Sequence, residues 1–224
     1  MLSIIVPVRN ETNIIHEVFD YFSTNLKNIN YEVLIINDFS DDDTLEKSKS
    51  LATKYANFKV LNNKKKGLGG AINLGIREAS GDNISIMMAD LSDDINDLIK
   101  YNELMTQNNF NAILGSRFMK DSKVKEYPVQ KLILNRYNDY TNAFKIYKRT
   151  ALMEIMPLIS ESFNIFLEIP LKIISRNYNY KIVSINWMGR KKGESKFKIK
   201  ELGSKYLFTL IYCFIEKNLL NIKK

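Results

Sequence analysis

Between Leu2 and Gly115, short β-branched apolar runs alternate with segments that repeat apolar residues every three or four positions, and few folds accept that rhythm. Leu2–Val8, closed by Pro7 and a polar turn, reads as a buried strand. Residues 12–26 carry Ile14, Ile15, Val18, Phe19 and Phe22 at helical spacing. YEVLIIND, residues 31–38, predicts a second strand, and Asp43-Thr44 is placed to cap a helix running to about Ala56. A strand over 58–61, a helix over 70–79, a strand over 83–88, a helix over 95–105 and a strand over 112–115 complete the pattern. Strands alternating with helices of about 10 to 15 residues mean βαβ units, so the expected class is α/β with a mainly parallel sheet.

After Arg117 the rhythm changes. A polar loop is expected over 121–130, a short helical turn over 131–137, a strand over 143–147, a helix over 163–175 and a strand over 181–187. A charged loop over 190–198 and an apolar-rich helix over the last twenty residues follow, and no linker splits the chain.

Net charge narrows the partners. The formal charge of +8 suits an anion, yet the carboxylates gather in 38–43 and 90–97 while 64–66 and 190–200 are basic. No DNA or RNA motif accompanies the charge, so no nucleic-acid partner is expected. A single cysteine, Cys213, excludes an internal disulfide framework and a Cys-based zinc site, and a reducing cytoplasm is the expected compartment. The start MLSIIVPVRNE lacks the features of a signal peptide, and YLFTLIYCFI, residues 206–215, is too short to cross a bilayer. With only one histidine, His16 on the first helix, a Ser-His-Asp triad and a Cys-His pair are both discounted.

Parallel sheets bind ligands at the carboxyl ends of their strands. Three strand ends here are polar: Pro7-Val8-Arg9-Asn10-Glu11, Asn37-Asp38-Phe39-Ser40 and Ala89-Asp90-Leu91-Ser92. One carboxylate suits the donors of a base or ribose, and another suits a divalent cation. Each end taken singly also reads as an ordinary polar loop. Lys64-Lys65-Lys66-Gly67-Leu68-Gly69-Gly70 precedes a helix, where it is either a phosphate contact or a solvated lysine run with a helix start. Gly193-Glu194-Ser195-Lys196, flanked by Arg190, Lys191, Lys192 and Lys198, is either a solvated loop or one that closes over a diphosphate.

Taken together, SIIVPVRNE, VLIINDFSDDDT, KGLGGAINLGIREASGD, IMMADLSDD, LGSRF, NDYTNAFKIYKR, FNIFLE and GRKKGESKFKI resemble the ordered segments of family 2 glycosyltransferases. Within that family the chain is similar to the dolichyl- or polyprenyl-phosphate sugar synthases, from Leu2 to about Leu202. The resemblance implies a GT-A fold over residues 1–200, a single Rossmann-like domain with a mainly parallel central sheet flanked by helices. Residues 1–117 would form the nucleotide-sugar half, 118–200 the acceptor half, and 201–224 a C-terminal amphipathic helix. It also implies that Pro7, Arg9, Asn10 and Glu11 lie on the nucleotide-contacting first loop, and that Asp38 is the second acid of the nucleoside-contacting Val-Asp-Asp-Gly-Ser segment. Asp90, beside Ala89, would be the last acid of the Asp-x-Asp motif that holds Mg²⁺ or Mn²⁺ on the diphosphate. Arg117 would lie near the sugar and phosphates, and Asp139 would be the acid of the Asp-x-Thr-x-x-Phe segment. Arg190, Ser195 and Lys196 match the basic loop over the diphosphate and acceptor phosphate, while Lys66 and Gly67 join the donor-binding set.

Four departures stand out. Asn37 replaces the first nucleoside acid, Phe39 the usual glycine and Met88 the first acid of Asp-x-Asp, and the span from Arg117 to Asp139 is short for the polyprenyl-phosphate branch. A thioether is a poor ligand for these ions, but Mg²⁺ takes as few as one carboxylate plus substrate phosphates, here Asp90 with Asp93 as a helper. The implied reaction is inverting transfer of a sugar from a nucleotide-diphospho-sugar, with Asp90, Asp139, Arg117, Arg190 and Lys196 as the catalytic set. A lipid-phosphate acceptor needs no base, whereas a sugar hydroxyl in polysaccharide synthesis needs a carboxylate, Asp139 or else Glu168. A non-catalytic nucleotide-binding scaffold on the same fold is the third alternative. The stretch 199–224 mixes Lys with Leu, Phe, Tyr and Ile, which fits a peripheral helix on the inner face of the cytoplasmic membrane. It also fits, somewhat better, a helix packed on the sheet or in a homo-oligomer contact.

Overall fold

The computed structural model describes residues 1–120, 123–125, 139–188 and 199–218. The first half runs β1 Leu2–Val8, α1 Ile15–Asn25, β2 Tyr31–Asn37, α2 Thr44–Ala52, β3 Phe58–Asn62, α3 Leu68–Glu78, β4 Asn83–Ile86, α4 Ile95–Gln107 and β5 Ala112–Ser116. Then come β6 Lys123–Lys125, β7 Lys145–Lys148, α5 Arg149–Glu154, α6 Ile165–Ser175, β8 Tyr180–Ser184, β9 Asn186–Met188 and α7 Ile199–Asn218.

Seven strands form one sheet in the order β3-β2-β1-β4-β7-β5-β8. All run parallel except β7, which opposes both β4 and β5. The two-residue period of the strands divides the core between the two faces. Leu2, Ile4 and Val6 join Phe19, Phe22 and Leu98 of α1 and α4, whereas Ile5 joins Ile72, Ile76 and Ile165 of α3 and α6. Each such fully buried Ile, Leu or Phe contributes roughly 1.5–3 kcal/mol. Helices on both faces are what the expected α/β class requires, and the mainly parallel sheet is observed.

Pro7 lies inside β1 without breaking its ladder. Ile5 O accepts from Met87 N at 3.0 Å, so the odd-numbered positions of β1 face β4. The last pair of that ladder is Ile5 with Ile86, so the N–H that Pro7 lacks has no partner to lose.

Several boundaries differ from expectation for tertiary reasons. Helix α1 starts at Ile15 rather than 12 because the preceding residues are held by a neighbouring loop: Glu11 N donates to Thr44 Oγ1 at 2.8 Å and Thr12 N to Asp42 Oδ2 at 3.3 Å. Helix α2 ends at Ala52 rather than about Ala56, where the ring of Tyr55 meets Phe19 and Phe58. Asp43 makes no capping bond with its side chain; Asp42 Oδ1 accepts from Thr44 N at 3.0 Å instead. Strand β4 stops at Ile86, two residues early, as the chain turns and Leu91 N donates to Met88 O. The expected strand over 181–187 is two strands broken at Ile185, and β9 pairs in parallel with β6 inside the segment expected to be a loop. Helix α5 is only six residues long, too short for periodicity to reveal. The helical turn expected over 131–137 and the charged loop over 190–198 lie outside the described residues.

Candidate active site

The adjacent parallel strands β2, β1 and β4 bring their polar ends to one edge of the sheet. Each following loop contains a non-glycine residue in the left-handed region: Asn10 at φ 53°, Phe39 at 54° and Leu91 at 55°. Such residues cost about 1–2 kcal/mol each and gather where the backbone must make a sharp, fixed bend. At Phe39 that geometry is one a glycine adopts freely.

The first two loops are stitched together. Asp41 N donates to Asn10 Oδ1 at 2.8 Å, Asn10 N to Ser40 Oγ at 3.1 Å, and Ser40 N to Asn37 Oδ1 at 3.4 Å. Asn37 Nδ2 donates to Asn62 Oδ1 at 3.2 Å. Pro7 is buried, Arg9 and Glu11 are half-buried, and Asn10 is exposed.

Asp38 is buried, and its Oδ1 accepts from Gly67 N at 2.8 Å and Asn63 Nδ2 at 2.7 Å. Among the described residues Oδ2 carries no hydrogen bond. Asn63 Nδ2 also reaches Lys65 O at 2.6 Å, which folds the lysine-glycine loop onto Asp38. The glycines of this loop pack tightly against protein backbone. A Cβ on Gly69 would lie 1.8 Å from Ser160 O, and one on Gly67, at φ 117°, would lie 2.7 Å from Glu161 O. The close backbone approach is therefore to the protein's own 160–161 segment. Gly67 presents its N–H to Asp38 and Lys66 is exposed beside it.

Asp90 is half-buried and fixes its own turn by accepting from Ser92 N at 3.2 Å, with Ala89 buried behind it. Behind Asp90 lies a buried group of charges. Arg117 donates to Asp139 through Nη2 at 2.6 Å, Nε at 2.9 Å and the backbone N at 2.8 Å. Its guanidinium stands 5.8 Å from the rings of both Phe118 and Trp187. Lys145, buried in β7, donates to Tyr140 O at 3.1 Å and to Asn142 O. Burial raises the Asp93 carboxyl to about 7, Asp90 adds to the rise, and Arg117 and Lys145 oppose it. Burial likewise lowers Lys145 to about 7 against the pull of Asp139.

Among the described residues no group of three or more His, Cys, Asp or Glu could hold a metal ion. Asp90 offers oxygen at the strand end, Met88 only a thioether, and Asp93 a carboxyl that burial tends to protonate. The donor set therefore fits a hard cation that draws its other ligands from substrate phosphates and water.

Asp139 and Glu168 were the carboxylates expected to serve a hydroxyl acceptor, and both are committed within the protein. Asp139 is 2% exposed, with both oxygens on Arg117. Glu168 is 0% exposed and accepts from Ile159 N and Ser160 N. His16 is exposed in the first turn of α1. Arg190, Ser195 and Lys196 lie outside the described residues. Sequence reasoning missed Lys145, Asn63 and Trp187. A lysine inside the apolar strand pattern of FKIYK was the one available signal, since a buried lysine needs compensating partners.

The model of the family described as glycosyl transferase family 2 matches residues 3–168. A dolichol-phosphate mannosyltransferase from Pyrococcus furiosus is 30% identical over 217 residues, 90% of this chain and 60% of its own length. A dolichyl-phosphate β-glucosyltransferase, ALG5A, from Trichomonas vaginalis is 29% identical over 144 residues, 59% of this chain and 44% of its own. This chain therefore spans less than two thirds of the length of either relative. Among solved structures, S. aureus TarS in complex with UDP superposes with a TM-score of 0.70 at 16% identity, covering 97% of this chain and 66% of that one. Glucosyl-3-phosphoglycerate synthase from Mycobacterium tuberculosis, in complex with Mg²⁺ and UDP, gives 0.68 at 16% identity, covering 95% and 79%.

Proposed function

The chain belongs to glycosyltransferase family 2 and has the GT-A fold, and from that premise we propose that it transfers a sugar, with inversion, from a nucleotide-diphospho-sugar to a polyprenyl phosphate. The observation that carries the choice of acceptor is the commitment of Asp139 and Glu168. A hydroxyl acceptor needs a carboxylate within hydrogen-bond reach, and the two candidates are turned into the protein. A phosphate is already an anion at neutral pH and attacks without a base. The dolichol-phosphate and dolichyl-phosphate relatives point the same way.

In this reading the nucleoside meets Asn37 and the Oδ2 of Asp38, while the diphosphate lies across the edge toward Asp90. When bound, Mg²⁺ or Mn²⁺ at Asp90 supplies neutralising charge on that diphosphate. Arg117, pinned by Asp139, offers a cation that need not reorganise as the leaving group gains charge. Arg190, Ser195 and Lys196 close the set from the basic loop.

The outer face of α7 supports a peripheral membrane contact on the cytoplasmic side. Leu207, Phe208, Ile211, Phe214 and Ile215 are exposed along one side of the helix, with Lys205 and Lys217 exposed beside them. The net charge of +8 suits an anionic lipid surface. No helix among the described residues is long and apolar enough to cross a membrane.

The test is a transfer assay with UDP- and GDP-sugars and Mn²⁺, offering polyprenyl phosphate against an oligosaccharide acceptor. Sugar on the lipid phosphate with inverted configuration is expected; transfer to the oligosaccharide alone would refute the acceptor, and no turnover with metal-independent nucleotide binding would favour a scaffold. Flotation with anionic vesicles should carry the protein upward, whereas a dimer in vesicle-free solution with no flotation would assign the apolar face to a second copy.

A further inference from the structure

The inward face of α7 and the nucleoside end of the site are joined by a chain of polar contacts that is buried from α7 to Ser160. On α7, Glu216 pairs with Lys172 at 3.0 Å and with Arg176, and Thr209 Oγ1 accepts from Asn164 Nδ2 at 2.9 Å. All five side chains are buried or nearly so. Lys172 and Asn164 belong to α6 and its cap, and each reaches the segment 155–161 directly. Lys172 donates to Pro157 O at 2.7 Å and pairs with Glu168 at 3.3 Å, while Asn164 Nδ2 donates to Ser160 Oγ at 2.8 Å. Glu168 then grips the segment, accepting from Ile159 N at 3.0 Å and Ser160 N at 2.8 Å.

The segment held in this way forms the floor under the donor loop. Glu161 O accepts from Gly69 N at 3.0 Å, and Lys65 pairs with Glu161 at 2.9 Å. No side chain fits between the two backbones at Gly67 or Gly69. The far side of the same loop gives Gly67 N to Asp38. A shift of 159–161 must therefore move the glycines, because close-packed backbone transmits displacement rather than absorbing it.

We propose that Glu168 is a positioning residue for the donor loop, and that α7 seats it through Thr209 and Glu216. The proposal rests on the reading of Asp38 and the 63–70 loop as the nucleoside end of the donor site. It gives α7 two faces with two tasks: an apolar one toward its surroundings and a polar one that sets how well the nucleotide loop is formed. Hydrogen bonds and packed backbone linking the two ends are one means of carrying such coupling, and the measured response of the loop is what demonstrates it.

The experiment uses Thr209→Val, Glu168→Gln and Glu168→Ala in the full chain. Hydrogen exchange is followed in residues 62–72, with β1 as the internal reference, and UDP and GDP binding with Mg²⁺ is measured by calorimetry. Thr209→Val removes only the hydroxyl that meets Asn164, in a residue that touches no donor, and Asn164 keeps its bond to Ser160, so the variant remains informative where Glu168→Ala fails to fold. Faster exchange in 62–72 with β1 unchanged is expected for all three variants. Dissociation constants for the nucleotide should rise roughly tenfold in Glu168→Ala and about threefold in Thr209→Val, with Glu168→Gln between because its amide oxygen keeps one acceptor. Unchanged exchange in 62–72, or acceleration spread equally over β1, overturns the proposal. If the wild type binds neither nucleotide, the donor reading fails while the exchange measurement still judges the seating.

Discussion

Replacing Asp139 by asparagine removes one charge and almost no volume, and the structure sets the size of the effect. Asp139 receives three hydrogen bonds from Arg117, at 2.6, 2.8 and 2.9 Å, and the two side chains are 1% and 10% exposed. Removing one partner of a buried pair leaves the other charge uncompensated, at a cost of about 3–5 kcal/mol. Asparagine retains one carbonyl acceptor, and the guanidinium keeps the faces of Trp187 and Phe118, so the expected loss is about 2–3 kcal/mol. For a chain of this size that lowers the melting midpoint by about 4–12 °C. Urea titration measures the stability, and transfer is assayed where both proteins are folded. A double-mutant cycle with Arg117→Gln separates holding from proton transfer. If Asp139 acts only by fixing Arg117, the double variant is no slower than Arg117→Gln alone. Additive losses in rate, together with loss of the acid limb of the pH–rate profile, would refute the reasoning and restore Asp139 as a general base.

Asp90→Asn should abolish transfer, whereas Met88→Asp should leave it intact or tighten Mn²⁺ binding by calorimetry; full activity in Asp90→Asn would end the metal assignment. Gly69→Ala places a methyl 1.8 Å from Ser160 O, against backbone that cannot rotate away, so a loss of about 3 kcal/mol in urea and weaker nucleotide binding are expected. Lys145 titrates near 7 in the folded protein because of burial, against an ordinary 10.5, so the native state binds fewer protons than the unfolded chain between those values. Stability contributed by this group therefore rises with pH across that window, and its burial cost is present in full below it. Lys145→Met should flatten that rise in urea midpoints measured between about pH 7 and 10; an unchanged slope would show that Lys145 is not buried as described.

The elements of the first half were legible because their signals are local. In Leu2–Val8 and Tyr31–Asn37 a short run of β-branched and apolar residues marks a strand buried on both faces, and in α1 Ile15, Val18, Phe19 and Phe22 repeat the helical period. The polar ends of β1, β2 and β4 could be read as one edge because parallel strands must deliver their carboxyl ends to the same side. Past Arg117 this reading weakened, and the reason is visible in β6 and β9. Their pairing joins Lys123–Lys125 to Asn186–Met188, and the hydrogen bonds of one short polar segment are supplied by another far along the chain.

The same distinction separates the residues of the site. The sequence by itself determined which side chains come after the strands, since Asp38 is next after β2 and Asp90 lies in the turn after β4. Only the tertiary structure decided which carboxylates face outward. Asp139 and Glu168 look as available as Asp90 in the sequence. Asp139 is turned inward by Arg117, 22 residues earlier, and Glu168 by the backbone of Ile159 and Ser160. Gly67 and Gly69 likewise give no sign in the sequence of the 160–161 backbone that packs against them. A carboxylate or a glycine does not encode its own partner. Burial and hydrogen bonding are properties of the space around a residue, and distant chain segments fill that space only when the sheet and its helices close.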